Sequence, residues 1–181
     1  VHHAAGANVY TQQKIVDSVI MGNLTSQTIV QNSPEDMAKA MVLALEQIGF
    51  VGNIQTTNPS NNQMSNVQNL LKAGDELNSR GVKIQGSTDL KLGNAARLTG
   101  RYQGAMEYYQ RALKTFRAES NRSGVADALI NIGYLALYQG DVSEAYTNFR
   151  DARAMKLELG EKNGEADVIL AMANLALSGN E

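Results

Sequence analysis

Residues able to do chemistry are few in this sequence. His2 and His3 are the only histidines, and there is no cysteine. Neighbouring side chains on an extended chain point to opposite sides, so this histidine pair chelates poorly and no metal site is expected. The absence of cysteine excludes disulfides, thiolate ligands and cysteine nucleophiles together. A Ser-His-Asp arrangement would need the N-terminus to fold onto a distant serine. Neither a GxxxxGK[ST] phosphate loop nor a helical HExxH occurs. Glu76, Glu107, Glu144 and Glu165 are the carboxylates to consider for acid–base work. Each falls on a face expected to be solvated, so neither an enzymatic activity nor a cofactor is expected.

The elements that would position any site follow from composition and spacing. Of the 181 residues, 43% are hydrophobic and 19% charged, enough for a packed core. Two prolines suit a mostly helical chain. A net charge of -2 argues against nucleic acid as the partner, because phosphate binding wants a basic stripe. No apolar run approaches the roughly 18 residues of a membrane span. The lack of cysteine fits a reducing compartment, and no basic segment followed by an apolar core marks a signal peptide, so the cytoplasm is expected. Valine as first residue suggests a trimmed segment.

Residues 1–55 read as a small β-hairpin-and-helix unit. The Ile- and Val-rich segments 14–21 and 24–31 predict two strands, with Gly22-Asn23 as a two-residue turn. Such a hairpin must pack on something or pair with another chain. Residues 33–49 predict a helix: Ser33 as N-cap, Pro34 at the first position, Glu35 and Asp36 at the positive end of the dipole. Met37, Met41, Leu45 and Ile48 then share a face, and Gly49 ends it. Residues 50–55 look like a short strand. Residues 56–66, rich in Asn, Ser, Gln and Thr, read as a polar linker.

Residues 67–181 are helical and repeat. An offset of 40 superposes Gly93 on Gly133, Gly100 on Gly140, Ala105 on Ala145, Tyr109 on Phe149 and Ala112 on Ala152. It also places INIGYLAL at 130–137 on LAMANLAL at 170–177. Two helices fit each period. First helices are predicted over 87–99, 124–139 and 164–177, and second helices over 103–118 and 142–159. Gly100 and Gly140 fall where a helix C-cap favours positive φ. Gly93 and Gly133 lie inside helices, where glycine costs about 1 kcal/mol relative to alanine, so close helix approach is expected there. The alanine–ring–alanine spacing of 4 and 3 puts a ring between two small residues on one face. Residues 67–79, with Leu70, Leu71, Ala73 and Leu77, would cap the array.

This arrangement resembles the tetratricopeptide repeat family, in a variant longer than the usual 34 residues. Leu92-Gly93, Gly100, Ala105, Tyr109 and Ala112 carry the likeness in one unit. Ile132-Gly133, Gly140, Ala145, Phe149 and Ala152 carry it in the next, and Met172-Ala173 begins a third. Two departures stand out: the aromatic after Leu-Gly is alanine (Ala96, Ala136), and the proline that usually follows the second helix is missing.

The resemblance implies a helical-hairpin solenoid acting as a protein–protein interaction scaffold. In that family the first helix of each unit faces a concave groove that accepts a peptide, with asparagines holding its backbone. Carried over by position, the partner-binding residues are Asn94, Arg97, Leu98, Asn131, Tyr134, Tyr138, Asn174 and Ser178. The expected partner is a protein or peptide segment. The alternatives are a regulatory or sensor fragment of a larger signalling or defence protein, and a self-assembly module forming a homo-oligomer. Leu170, Leu175 and Leu177 have no obvious following helix, which suggests a longer chain or self-association. Lys72, Arg80, Lys83, Lys91, Arg97 and Arg101 read as dispersed solubilising charge, with attraction for an acidic partner tail as the alternative.

Overall fold

The computed structural model describes residues 3–49 and 61–178, with the side chains of 3–10, 61, 62, 167 and 178 outside the description. Its elements are α1 (His3–Met21), α2 (Ser26–Gln31), α3 (Pro34–Gln47), α4 (Asn61–Ser79), α5 (Gly86–Leu98), α6 (Tyr102–Ala118), α7 (Arg122–Tyr138), α8 (Val142–Glu158) and α9 (Lys162–Ser178). Among the described residues there is no strand.

The expected N-terminal hairpin is therefore corrected to helix. Residues 14–21 form the last turns of α1, where Ile15, Val16 and Val19 are buried and Lys14 and Asp17 are exposed. Spacings of 1 and 3 trace one face of a 3.6-residue period, which outweighs the modest β preference of Ile and Val. Gly22-Asn23 caps this helix instead of turning a hairpin. With Gly22 at φ 76°, its N–H donates to the Val19 carbonyl and that of Asn23 to the Ser18 carbonyl. Asn69 Nδ2 adds a bond to the Ile20 carbonyl at 2.8 Å, joining the cap to α4. In residues 24–31 Thr25 Oγ1 accepts from the Thr28 N–H and starts the short α2, which buries Ile29.

Helix α3 follows its sequence signals. Ser33 Oγ accepts from the Asp36 N–H at 3.1 Å, and Met37, Met41 and Leu45 are buried. The stretch read as a linker is helical from Asn61, where α4 begins, and its residues 56–60, like the expected strand at 50–55, lie outside the described residues. Leu70, Leu71, Ala73 and Leu77 of α4 are buried, and a single apolar cluster joins α1, α3, α4, α5 and α6.

From α5 onward each helix packs on the next, and α5 also meets α7. Gly100 and Gly140 close the first helices at φ 78° and 81°. A Cβ at Gly93 would overlap the Tyr109 ring, and one at Gly133 would fall 2.6 Å from Phe149 Cε1. Close approach thus explains both mid-helix glycines. Ala105, Tyr109, Ala112, Ala145, Phe149 and Ala152 are fully buried. Ala96 and Ala136, where the resembled family has an aromatic, are buried as well.

At the C-terminal end, Leu175 is covered within the cluster of α7, α8 and α9, which corrects the expectation that it lacks a partner. Leu170 and Leu177 are 51% and 71% exposed. No described helix is long and apolar enough to cross a membrane.

Candidate functional site: the first-helix face

The carried-over residues divide between interior and surface. Asn94 is buried, and its Oδ1 accepts a 2.6 Å hydrogen bond from the Tyr109 hydroxyl, so it braces α5 against α6. Burial pushes the Tyr109 hydroxyl up to about 12, with the neighbouring Arg97 guanidinium pulling the other way. Tyr134 is half-buried and meets Phe149 edge-on, centroids 5.1 Å apart. These two residues support the face from behind.

Asn131 is also buried, but only its nitrogen is engaged: Nδ2 donates to the Asp127 carbonyl at 2.8 Å, while Oδ1 has no partner. Arg97 is only 3% exposed, and its guanidinium lies 5.1 Å from the centre of the Tyr138 ring. Its Nε and Nη2 have no hydrogen-bond partner. Tyr138 is 57% exposed, and its ring sits 6.2 Å from that of Tyr102. Leu98 is half-buried and Asn174 exposed. Ser178 ends α9, its side chain outside the description. The structure therefore brings Arg97, Tyr138 and Tyr102 together, with Arg97 and Asn94 both beside the Tyr109 hydroxyl. Sequence reasoning missed Tyr102, whose counterpart at the 40-residue offset is Val142, so the repeat gave no signal for it.

Two of the six dispersed basic residues form ion pairs. Arg80 pairs with Glu76 at 2.9 Å and Arg101 with Asp75 at 2.7 Å. Asp75 also accepts from the Tyr108 hydroxyl at 2.6 Å. Burial, and then this bond, push the Tyr108 pKa upward.

Two buried ionic groups sit elsewhere in the array. Asp89, 2% exposed, pairs with Arg111 at 2.8 Å. Burial raises its pKa to about 7, more than the guanidinium lowers it. Such a shift marks catalytic carboxylates in some enzymes, but this one is enclosed by its partner. Lys156 is held by Asp127 at 2.7 Å and Glu161 at 2.6 Å. Burial disfavours its ammonium, yet the two carboxylates outweigh that and raise its pKa. The carboxylates considered for acid–base work are scattered: Glu76 faces Arg80, Glu165 faces Arg153, and Glu107 and Glu144 are exposed on separate helices. Among the described residues, no cluster of three or more His, Cys, Asp or Glu is placed to hold a metal.

The helical hairpins, their glycine caps and the glycine–ring contacts now define the array, and residues 85–158 match a family model described as tetratricopeptide repeat. This segment belongs to the tetratricopeptide repeat family. The match spans α5 to α8, the two full units. No curated protein matches the chain. Tetratricopeptide repeats are in general protein–protein interaction modules.

Proposed function

We propose that this chain is a non-enzymatic cytoplasmic scaffold that takes a segment of another protein along the first-helix face of α5, α7 and α9. The observation that carries this reading is Asn131. Its amide is fixed through Nδ2 to the Asp127 carbonyl, leaving a buried Oδ1 able to accept a backbone N–H from a partner. An acceptor left without a bond costs roughly 1–3 kcal/mol, which a bound segment would recover. Tyr138, half exposed beside it on α7, offers an amphipathic ring of the kind enriched at interfaces. Leu98, Asn174 and Ser178 extend the row, Arg97 lies beneath it, and Asn94 and Tyr134 support it. Affinity capture with the intact chain and with an Asn131→Ala, Tyr138→Ala variant tests this. Loss of a captured protein by the folded variant supports the reading; undiminished capture contradicts it.

A second reading, self-assembly, is favoured by the outer face of α9, where Ile169, Leu170 and Leu177 are 45%, 51% and 71% exposed. A monomeric mass by light scattering at high concentration would count against it.

A further inference from the structure

Five side chains of α9 are exposed where their counterparts one repeat earlier are covered. At the 40-residue offset Ile169, Leu170, Ala173, Ala176 and Leu177 correspond to Leu129, Ile130, Gly133, Ala136 and Leu137. In α7 these positions are buried or half-buried and pack in the cluster that holds Phe149 of α8. In α9 all five are exposed, Leu170 by 51% and Leu177 by 71%. At 3.6 residues per turn they lie within an arc of about 120°, the width of a face that packs on another helix.

Helix α9 differs from α5 and α7 at the point of closest approach. Those helices have Gly93 and Gly133, and a Cβ on either would overlap the ring of Tyr109 or Phe149. The third position is Ala173, which already carries that Cβ. A ring-bearing second helix in the same register would therefore have to stand further off α9 than α6 and α8 stand off their partners. Helix α9 has no aromatic residue, so a second α9 can close on Ala173 without that retreat.

Charge points to the same occupant. Residues 168–178 contain no Asp, Glu, Lys or Arg. Around a two-fold axis each group faces its own copy, so a charge near the centre would meet a like charge. An uncharged stretch avoids that cost, and it offers no charge for an unlike partner to recognise.

We infer that α9 pairs with α9 of a second copy, antiparallel, about a two-fold axis at Ala173. The pairing rests on the self-assembly reading and gives it an interface. The two alanines meet at the axis. Ile169 of each copy then lies opposite Leu177 of the other, and Leu170 opposite Ala176. Antiparallel pairing continues the alternation of helix direction from hairpin to hairpin along α5 to α9. Asn174 stands roughly 100° around the helix from Ala173, outside the pairing arc, so the first-helix face of each copy stays open.

The lack of cysteine makes the test direct. The Ala173→Cys chain holds a single thiol, and mild oxidation should link it into a disulfide dimer. The rate should exceed that of Glu107→Cys, exposed on α6, by at least about tenfold, because the axis brings the two sulfurs together. Mixing Ile169→Cys with Leu177→Cys chains should give the mixed dimer over either homodimer; an excess of homodimers would overturn the antiparallel arrangement. Without oxidation, light scattering should show a wild-type dimer at high concentration. Leu170→Glu enters twice and should weaken association at least about a hundredfold. A dimer that persists in Leu170→Glu, with residue 173 linking no faster than residue 107, would leave self-assembly standing and remove the α9 pairing. A wild-type chain that stays monomeric at every concentration would remove both.

Discussion

In the first tetratricopeptide unit the ring of Phe116 wedges against Gly86 and Gly124, where added Cβ atoms would overlap it. Forty residues later the position is Lys156, whose methylene stem lies against Gly164 while its ammonium reaches Asp127 and Glu161. Tyr109 donates to Asn94 in the first unit; in the second, the equivalent residues are Phe149 and Tyr134, which meet as edge-on rings. Asp89 and Arg111 form a buried pair in the first unit where the second has Leu129 and Asp151. The backbone contacts are shared, and the chemistry filling them is exchanged in matched sets. One unit places its buried charge across α5 and α6, whereas the other places it at the junction of α7, α8 and α9.

The sharpest way to break this comparison is to swap one member of a set. Phe116→Lys would bury an ammonium where Ser87 and Asn121 stand at the positions equivalent to Asp127 and Glu161. It should cost about 3–5 kcal/mol in denaturant unfolding. Lys156→Phe should change stability by no more than about 1 kcal/mol, because the carboxylates it leaves behind, Asp127 and Glu161, reach solvent.

A smaller effect concerns pH. The Asp89 carboxyl titrates near 7 when folded, against 3.8 for its ordinary value. The folded state thus holds the proton more tightly. The stability this contributes is full below about pH 4 and is lost as pH rises through 7, bounded above by roughly 4 kcal/mol. Glu161 behaves oppositely: its bond to Lys156 holds its pKa below 4.5, so its contribution is present above that value and lost as pH falls below it. Melting temperatures across pH 4 to 8 should show the first slope in the wild-type chain and its loss in Asp89→Asn.

The smallest effect sharpens the exchange of rings. Tyr109→Phe should cost about 1–2 kcal/mol by leaving the Asn94 acceptor without that donor. Adding Asn94→Tyr, which installs the second unit's pair in the first, should recover part of it in a double-mutant cycle. Additive losses would mean that the two units do not share interchangeable sets.

Much of the array was legible because a 40-residue offset tests each position twice. Glycines fixed the caps and close contacts, and the alanine–ring–alanine spacing fixed the second-helix faces. The N-terminus had no such internal copy. There Ile15, Val16, Val19 and Ile20 carry a β preference, although their spacing of 1, 3 and 1 is helical. Gly22-Asn23 suits a helix cap as well as a hairpin turn, and only packing on α4 decides. In the site, the inward turn of Asn94 was hidden because it depends on a hydroxyl fifteen residues away. The offset carried a trace of it: Asn94 with Tyr109 becomes Tyr134 with Phe149. The unsatisfied edge of Arg97 left no trace, since an orphaned donor is a property of its surroundings and not of its spacing.

The central claim, that the first-helix face takes the partner segment, is tested most directly by amide hydrogen exchange of the full chain with and without a captured partner. Added protection concentrated in α5 and α7, around Arg97, Asn131 and Tyr138, is the predicted result. Protection confined to the exposed faces of α6 and α8, with α5 and α7 unchanged, would contradict it.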